Sequence, residues 1–175
     1  MAQFARPDAD TSVGNWSASS GTNRYAMIDE SSTDDSDYIS VTDNFGSSEA
    51  ITFSLSSVTD PASGSTHSVV VRASEDMGMG AVTLNVNLKD GGTSIKNQDF
   101  NPGSSAGNHT MTLSTAQANN ISSSGYGDLT LVLTATDGSG MGTTTTVYQA
   151  YFTCPDASAS TALPMAMNTY KQLRY

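Results

Sequence analysis

The sequence has little of the chemistry that most functional classes require. It contains one cysteine, two histidines and seven basic residues against seventeen acidic ones, in 175 residues with a formal net charge of −10. The lone Cys154 excludes an internal disulfide, and its position at the end of an apolar stretch predicts a small buried residue. Because nucleic-acid affinity comes largely from Lys and Arg at phosphates, the charge argues against nucleic acid, and likewise against anionic membranes.

Other absences concern targeting and catalysis. No apolar run approaches the length of a membrane span, and the N-terminus lacks the apolar region of a signal peptide. There is no nucleophile elbow, phosphate-binding loop or Cys-x-x-Cys pair. His67 and His109 stand at expected strand starts, which favours solvated polar residues. We therefore predict a protein that is not an enzyme, with no catalytic residues and no cofactor.

One acidic segment is a candidate calcium site. Its five carboxylates lie within nine residues of sequence: Asp29, Glu30, Asp34, Asp35 and Asp37. Calcium prefers several carboxylate and carbonyl oxygens on a flexible loop. The spacing differs from that of an EF-hand, and the alternative interpretation is an acidic, turn-rich loop between two strands. No other metal site is expected.

What the sequence does contain is alternation typical of strands. Val82, Leu84, Val86 and Leu88 alternate with polar residues and precede an Asp-Gly-Gly turn. Further strands are expected at 51–55, 69–73, 95–100, 111–113, 129–135 and 143–154, with weaker ones at 25–28 and 38–41. We predict an all-β, two-sheet antiparallel sandwich of jelly-roll type with about eight strands. A short helical turn capped by Ser114 would cross between the sheets.

The composition changes after the last strand. We predict a sandwich domain over 1–154 and a linker with a docking arm over 155–175. The arm would contact a partner through Tyr170, Lys171, Leu173, Arg174 and Tyr175. Met77, Met79 and Met141 lie between glycines in two loops and would add a pliant contact surface. The alternatives are a frayed terminus and mobile loop tips with incidental methionines.

Three segments in the N-terminal part of the chain stand out together: Arg6-Pro7 to Trp16, Tyr25 to Glu30 and Asp34 to Ile39, with weaker segments at 55–61, 67–73 and 116–118. With these segments the chain resembles small β-sandwich domains of tailed-bacteriophage virion proteins. The resemblance implies a jelly-roll-like sandwich in a capsid decoration or tail-associated protein. It brings no catalytic residues, and it does not cover the C-terminal arm. Trp16, the only tryptophan, is expected in the core, with an interface anchor as the alternative.

These observations lead to a functional hypothesis. We expect a virion structural protein, a capsid decoration or cement protein on the outer surface of a phage head, made in the host cytoplasm. Its partners would be the major capsid protein or another virion protein, and copies of itself, a trimer being the first choice. The alternative is a carbohydrate-binding or tail-associated host-adhesion module. Strict alternation argues against that alternative, because it places Tyr148 and Tyr151 on opposite faces of one strand.

Overall fold

This computed structural model describes residues 1–42, 47–76, 82–138 and 142–157. These residues contain eleven strands and one short helix. The strands are β1 Ala2–Ala5, β2 Pro7–Ser12, β3 Ser17–Ala18, β4 Ile39–Thr42, β5 Ser48–Leu55, β6 Ser68–Glu75, β7 Val82–Asp90, β8 Thr93–Phe100, β9 Gly107–Thr112, β10 Leu129–Asp137 and β11 Thr144–Pro155. Helix α1 spans Thr115–Ala118, and 3-10 turns lie at Tyr25–Met27 and Gly125–Gly127. Within these ranges no helix has the length and apolar character needed to span a membrane.

The strands form two antiparallel sheets. The first sheet has the order β3-β4-β11-β6-β9, and β1 pairs with β11 beside β4. The second sheet has the order β2-β5-β10-β7-β8. The chain repeatedly crosses between them, since β5, β7 and β10 lie in the second sheet and β6, β9 and β11 in the first. The predicted two-sheet antiparallel sandwich of jelly-roll type is confirmed.

The core lies between the inward faces of the two sheets. Along β7 and β10 buried and half-buried residues alternate, so that Leu84, Val86, Leu131 and Leu133 are fully buried. Trp16 is 1% exposed, and its Nε1 donates to the Glu49 carbonyl at 3.1 Å. Its predicted place in the core is confirmed, as is that of the buried Cys154. Burial raises the pKa of the Cys154 thiol to about 11.

The helical crossover also forms as predicted. Ser114 Oγ accepts from Gln117 N at 3.3 Å, and Gln117 Oε1 accepts from Ser114 N at 2.9 Å. This reciprocal capping satisfies two backbone N–H groups that a helix start leaves free. Helix α1 therefore begins directly after β9 of the first sheet and leads towards β10 of the second.

The N-terminal quarter departs from the prediction. The expected strand at 25–28 is wrong, because this segment is a 3-10 turn. The Asp10 carboxylate accepts from Arg24 N at 2.8 Å and from Tyr25 N at 2.7 Å, so these N–H groups need no partner strand. The strands β1, β2 and β3 exceed the predicted number, since their short polar sequences show no clear alternation.

The first and last strands meet at one corner of the sandwich. β1 pairs with β11 from Ala2 opposite Pro155 to Ala5 opposite Phe152. The Met1 ammonium lies 3.0 Å from the Asp156 carboxylate, and Asp156 N donates to the Met1 carbonyl at 3.2 Å. The last strand ends at Pro155, one residue past the predicted domain boundary. Residues 158–175, which hold most of the predicted arm, lie outside the described residues.

Candidate functional site

A bulge in β11 determines which side chains of this strand lie on the outer face of the first sheet. Val147 pairs with Ala73 and Gln149 with Arg72, so Tyr148 is the extra residue. After the bulge the alternation resumes in the opposite phase, with Ala150 buried and Tyr151 half-buried. Tyr148 and Tyr151 therefore lie on the same outer face. The expectation that they face opposite sides is wrong, because one inserted residue reverses the side-chain alternation.

Two aromatic pairs occupy this outer face. Phe4 of β1 contacts Tyr151 edge to face, with ring centroids 5.6 Å apart. Tyr38, directly before β4, contacts Tyr148 in the same way at 6.0 Å. The Phe4 side chain is 45% exposed, which is high for a large apolar residue in this structure. Exposed aromatic rings grouped on one face are typical of binding surfaces.

An ion pair lies on the neighbouring strand β6, where Arg72 pairs with Gln149 of β11. Arg72 of β6 donates from Nε to Asp35 Oδ1 at 2.7 Å and from Nη2 to Asp35 Oδ2 at 2.6 Å. The guanidinium hydrogen bond lowers the pKa of the Asp35 carboxyl. Because the carboxylate is exposed, the pair contributes little stability. Its bidentate geometry instead fixes the 29–37 segment against the sheet.

Beside Tyr151 the face deepens into a cleft of about 340 Å³, which we call the outer groove. It is lined by Phe4, Arg6, the 31–33 segment, Asn108, Gln149 and Tyr151.

Two side-chain hydrogen bonds to one backbone carbonyl hold the wall of the outer groove. The Glu30 carbonyl accepts from Gln149 Nε2 at 2.7 Å and from Arg6 Nε at 3.2 Å. The Arg6 guanidinium lies 5.3 Å from the Phe4 ring centroid, within cation–π range. Across the strands, Gln149, Arg72 and Asn108 stand in one row. The groove thus combines aromatic rings with amide, hydroxyl and guanidinium groups.

The five candidate calcium ligands do not converge. Among the residues that the structure describes, no group of three or more His, Cys, Asp or Glu is placed to hold a metal ion. Asp35 is bound to Arg72, and Asp34 Oδ1 accepts from Ser36 N at 2.9 Å and Ser36 Oγ at 2.7 Å. Asp29, Glu30 and Asp37 lie on the same segment, whose residues 31–33 line the outer groove and form its rim.

Glu30 differs from the other acidic residues of this segment. Its Oε2 is buried and has no hydrogen-bond partner among the described residues. Burial raises the pKa of the Glu30 carboxyl, and the charges of Asp29, Asp37 and Asp34 add to the shift. A carboxylate oxygen in this state favours a nearby cation or hydrogen-bond donor.

The histidines are not the solvated residues that their positions suggested. His67 is fully buried, with Nδ1 2.8 Å from the Ser65 carbonyl and Nε2 2.8 Å from the Tyr126 hydroxyl. The Ser65 carbonyl requires a proton on Nδ1, so Nε2 accepts from Tyr126. Burial lowers the pKa of His67 and raises that of Tyr126 to about 12. His109 is half-buried beside Phe100, and burial also lowers its pKa.

A second cleft lies at the end of the sandwich near Tyr126. Its volume is about 230 Å³, and Asp60, Ala62, Ser63, Asn119 and Tyr126 contribute to its lining. The Tyr126 hydroxyl is already bonded to His67, as described above. Tyr126 is itself buried and packs against the buried Phe152, with ring centroids 6.4 Å apart, whereas Phe4 at the outer groove is exposed, so the outer groove is the stronger candidate.

None of the predicted contact residues is among those that the structure describes. Tyr170, Lys171, Leu173, Arg174, Tyr175, Met77, Met79 and Met141 lie outside the described residues, and their roles stay predictions. Phe4, Asn108 and Gln149 were missed in the sequence. Phe4 stands in a short strand without alternation, and Gln149 belongs to the bulge, so neither carried a periodic signal.

Comparison with known proteins does not assign this chain to a sequence family. No family model and no curated protein matches the chain. Similar solved structures include the xylan-binding module CBM15, with a TM-score of 0.49 and 8% identity over 90% of this chain and 100% of that one. A family 11 carbohydrate-binding module from Clostridium thermocellum has a TM-score of 0.46 and 11% identity, over 88% and 96%.

A third similar structure is the enzymatically active domain of tailspike protein 4 from bacteriophage CBA120. Its TM-score is 0.44 and its identity 9%, over 86% of this chain and 19% of that one. All three TM-scores are below 0.5, so these likenesses carry no argument about function.

Proposed function

We propose that this chain is a non-catalytic carbohydrate-binding domain that holds a glycan on the outer face of its first sheet. The observation that carries the proposal is the β11 bulge, which brings Tyr148 and Tyr151 to one face beside Phe4 and Tyr38. Sugar rings present apolar C–H faces that pack on aromatic rings, and hydroxyls that pair with amide and hydroxyl groups. The outer groove offers both kinds of group within one cleft.

The dimensions of the face favour a chain of several sugars. The two aromatic pairs lie along β11, three residues apart between Tyr148 and Tyr151, which corresponds to roughly 10 Å of strand. The outer groove at Tyr151 would take one sugar unit, and the Tyr38–Tyr148 pair would support another. Arg72, opposite Gln149 on the neighbouring strand, is held by its ion pair with Asp35.

The charge of the surroundings favours a neutral glycan. The 29–37 segment brings five carboxylates to the rim, and the chain as a whole carries a net charge of −10. An anionic sugar would meet like charges across this interface, which opposes binding. We therefore propose neutral oligosaccharides as the ligand class.

A glycan array probed with the full chain tests the proposal, followed by calorimetry on the ligands found. We expect neutral oligosaccharides among the hits, and a loss of affinity of about tenfold or more for Tyr151→Ser, since each 1.4 kcal/mol of lost contact is tenfold. Val132→Ser, on the outward face of the second sheet, is the matched control and should bind normally. An array without hits, or unchanged binding by Tyr151→Ser, would count against the proposal.

A place on a virus particle is a second, compatible proposal. The segments that carry the phage resemblance are bonded together: Asp10 binds the backbone of Arg24 and Tyr25, and Arg24 Nε donates to the Trp16 carbonyl at 3.2 Å. We propose that the chain is a capsid decoration or tail-associated protein, with a virion protein and its own copies as partners. Mass spectrometry of purified particles that finds no stoichiometric copy of the chain would remove this proposal.

A further inference from the structure

The outer groove combines an exposed aromatic ring with nearby acidic groups, which favours an occupant that is basic and aromatic. Phe4 lines the groove and is 45% exposed, and Glu30, next to the lining residues 31–33, has a buried Oε2 without a hydrogen-bond partner among the described residues. The adjoining rim bears five carboxylates, of which Asp35 forms an ion pair with Arg72. A cation beside Glu30 and an apolar ring against Phe4 would satisfy both deficits.

The chain itself contains a segment with that chemistry. Residues 158–175 lie outside the described residues and end in Tyr170, Lys171, Leu173, Arg174 and Tyr175. Two of the seven basic residues of the chain stand in these last six positions, beside two tyrosines. On a chain with seventeen acidic residues, this is the local charge that complements the rim.

The point where this segment is attached makes contact with the groove feasible. The last strand ends at Pro155, which is opposite Ala2 of β1, and Phe4 lies on the same short strand. Tyr151 is four residues before Pro155, about 13 Å along the strand. The segment 158–175 spans up to about 60 Å when extended, several times that separation. Attachment to the same domain also gives a high effective concentration, in the millimolar range for short tethers.

We propose that the outer groove is a docking site for the C-terminal segment of the same chain. The aromatic and aliphatic side chains of Tyr170, Leu173 and Tyr175 occupy the groove at Phe4 and Tyr151, and the cations of Lys171 and Arg174 face Glu30 and the acidic rim. The segment and a glycan would then compete for one surface.

The docking is measured on the full chain by NMR, without any glycan. The side-chain amide signals of Asn108 and Gln149 report on the groove, and the full chain is compared with a variant carrying Tyr170→Ser, Leu173→Ser and Tyr175→Ser. We expect these two signals to shift between the proteins, by an amount that does not change on dilution. A variant carrying Met165→Ser and Met167→Ser is the matched control in the same segment and should leave both signals in place.

Two outcomes would overturn the proposal. Unchanged Asn108 and Gln149 signals in the triple variant show that the segment does not occupy the groove. Shifts that disappear on dilution, together with a larger mass in sedimentation, show binding between copies and not within one chain. Charge reversal by Lys171→Glu and Arg174→Glu is a further arm, and it should reproduce the shifts of the triple variant.

The result does not depend on the glycan proposal. An array without hits leaves the docking experiment valid, because no glycan is present in it. Conversely, a finding that the segment does not dock has no bearing on the glycan proposal, which the glycan array tests separately. When both hold, the triple variant binds glycan more tightly than the unaltered chain, since the competitor has been removed.

Discussion

Tyr148 and Tyr151 lie on the same face of β11, although they are three positions apart in sequence and a regular strand would place them on opposite faces. The extra residue at the bulge accounts for this relationship. The Tyr148 hydroxyl contacts Ser74 Oγ at 3.0 Å, which holds the side chain over the sheet. The bulge thus determines which residues of β11 lie on the outer face and which face the core.

Deleting Tyr148 should leave the protein folded. The shortened strand can pair regularly, with Val147 still opposite Ala73 and Gln149 still opposite Arg72. The loss of the Tyr38 contact and the Ser74 hydrogen bond should cost about 1–3 kcal/mol in the free energy of unfolding. Urea unfolding measures this. Deleting Val132 from the regular central strand β10 is the control, and it should abolish cooperative unfolding because it reverses half of a core strand.

The two histidines should make stability fall in mild acid. Both have a folded-state pKa below the ordinary value, so the unfolded chain binds more protons as the pH drops through about 6.5. Stability is therefore full above that pH and is lost as the pH falls through it. The Tm measured from pH 8 to pH 5 should decrease, and His67→Gln should show a smaller decrease. An equal slope in this variant would show that His67 is not the source.

Two glycines of one 3-10 turn should respond differently to alanine. A Cβ at Gly125 would overlap the Asp90 carboxylate, whose Oδ2 accepts from Ser122 N and Ser122 Oγ at 2.9 Å each. Gly125→Ala should therefore cost about 1–3 kcal/mol through these two hydrogen bonds. A Cβ at Gly127 would meet Ser57 Oγ at an ordinary 3.6 Å. Thermal unfolding of both variants checks this, and equal Tm values would contradict it.

The Cys154 thiol should be inert in the folded protein. It is buried, and its pKa of about 11 leaves few thiolates at pH 8. Ellman's reagent should react at the rate of unfolding, and at once in denaturant. Rapid reaction with the native protein would show that the corner near β1 opens frequently.

The fold followed from the sequence wherever alternation was regular. Leu84 to Leu88 and Leu129 to Ala135 repeat with a period of two, and both segments are central strands of the second sheet. Ser114 was recognised from its chemistry as a cap. The short strands β1 to β3 were not predicted, because their pairing depends on partners distant in sequence, such as Phe152 opposite Ala5.

The candidate site was less predictable than the fold for the same reason. Phe4 and Tyr151 are separated by almost the whole described chain, and no local pattern links them. The bulge has no periodic signature, so the side on which Tyr148 lies follows only from pairing with β6. The burial of His67 depends on Tyr126, which is 59 residues away in sequence, so its position at a strand start wrongly indicated an exposed side chain.

The pairing of β1 with β11 has a mechanical consequence. Ala2 and Pro155 are opposite each other at the open end of this ladder. Tension applied to both ends of the sandwich therefore loads the hydrogen bonds one after another, as in a zipper, and not all together as in shear. The first strand to peel away is β1, and it carries Phe4 away from Tyr151. Pulling on the ends would dismantle the aromatic surface while the second sheet is still intact.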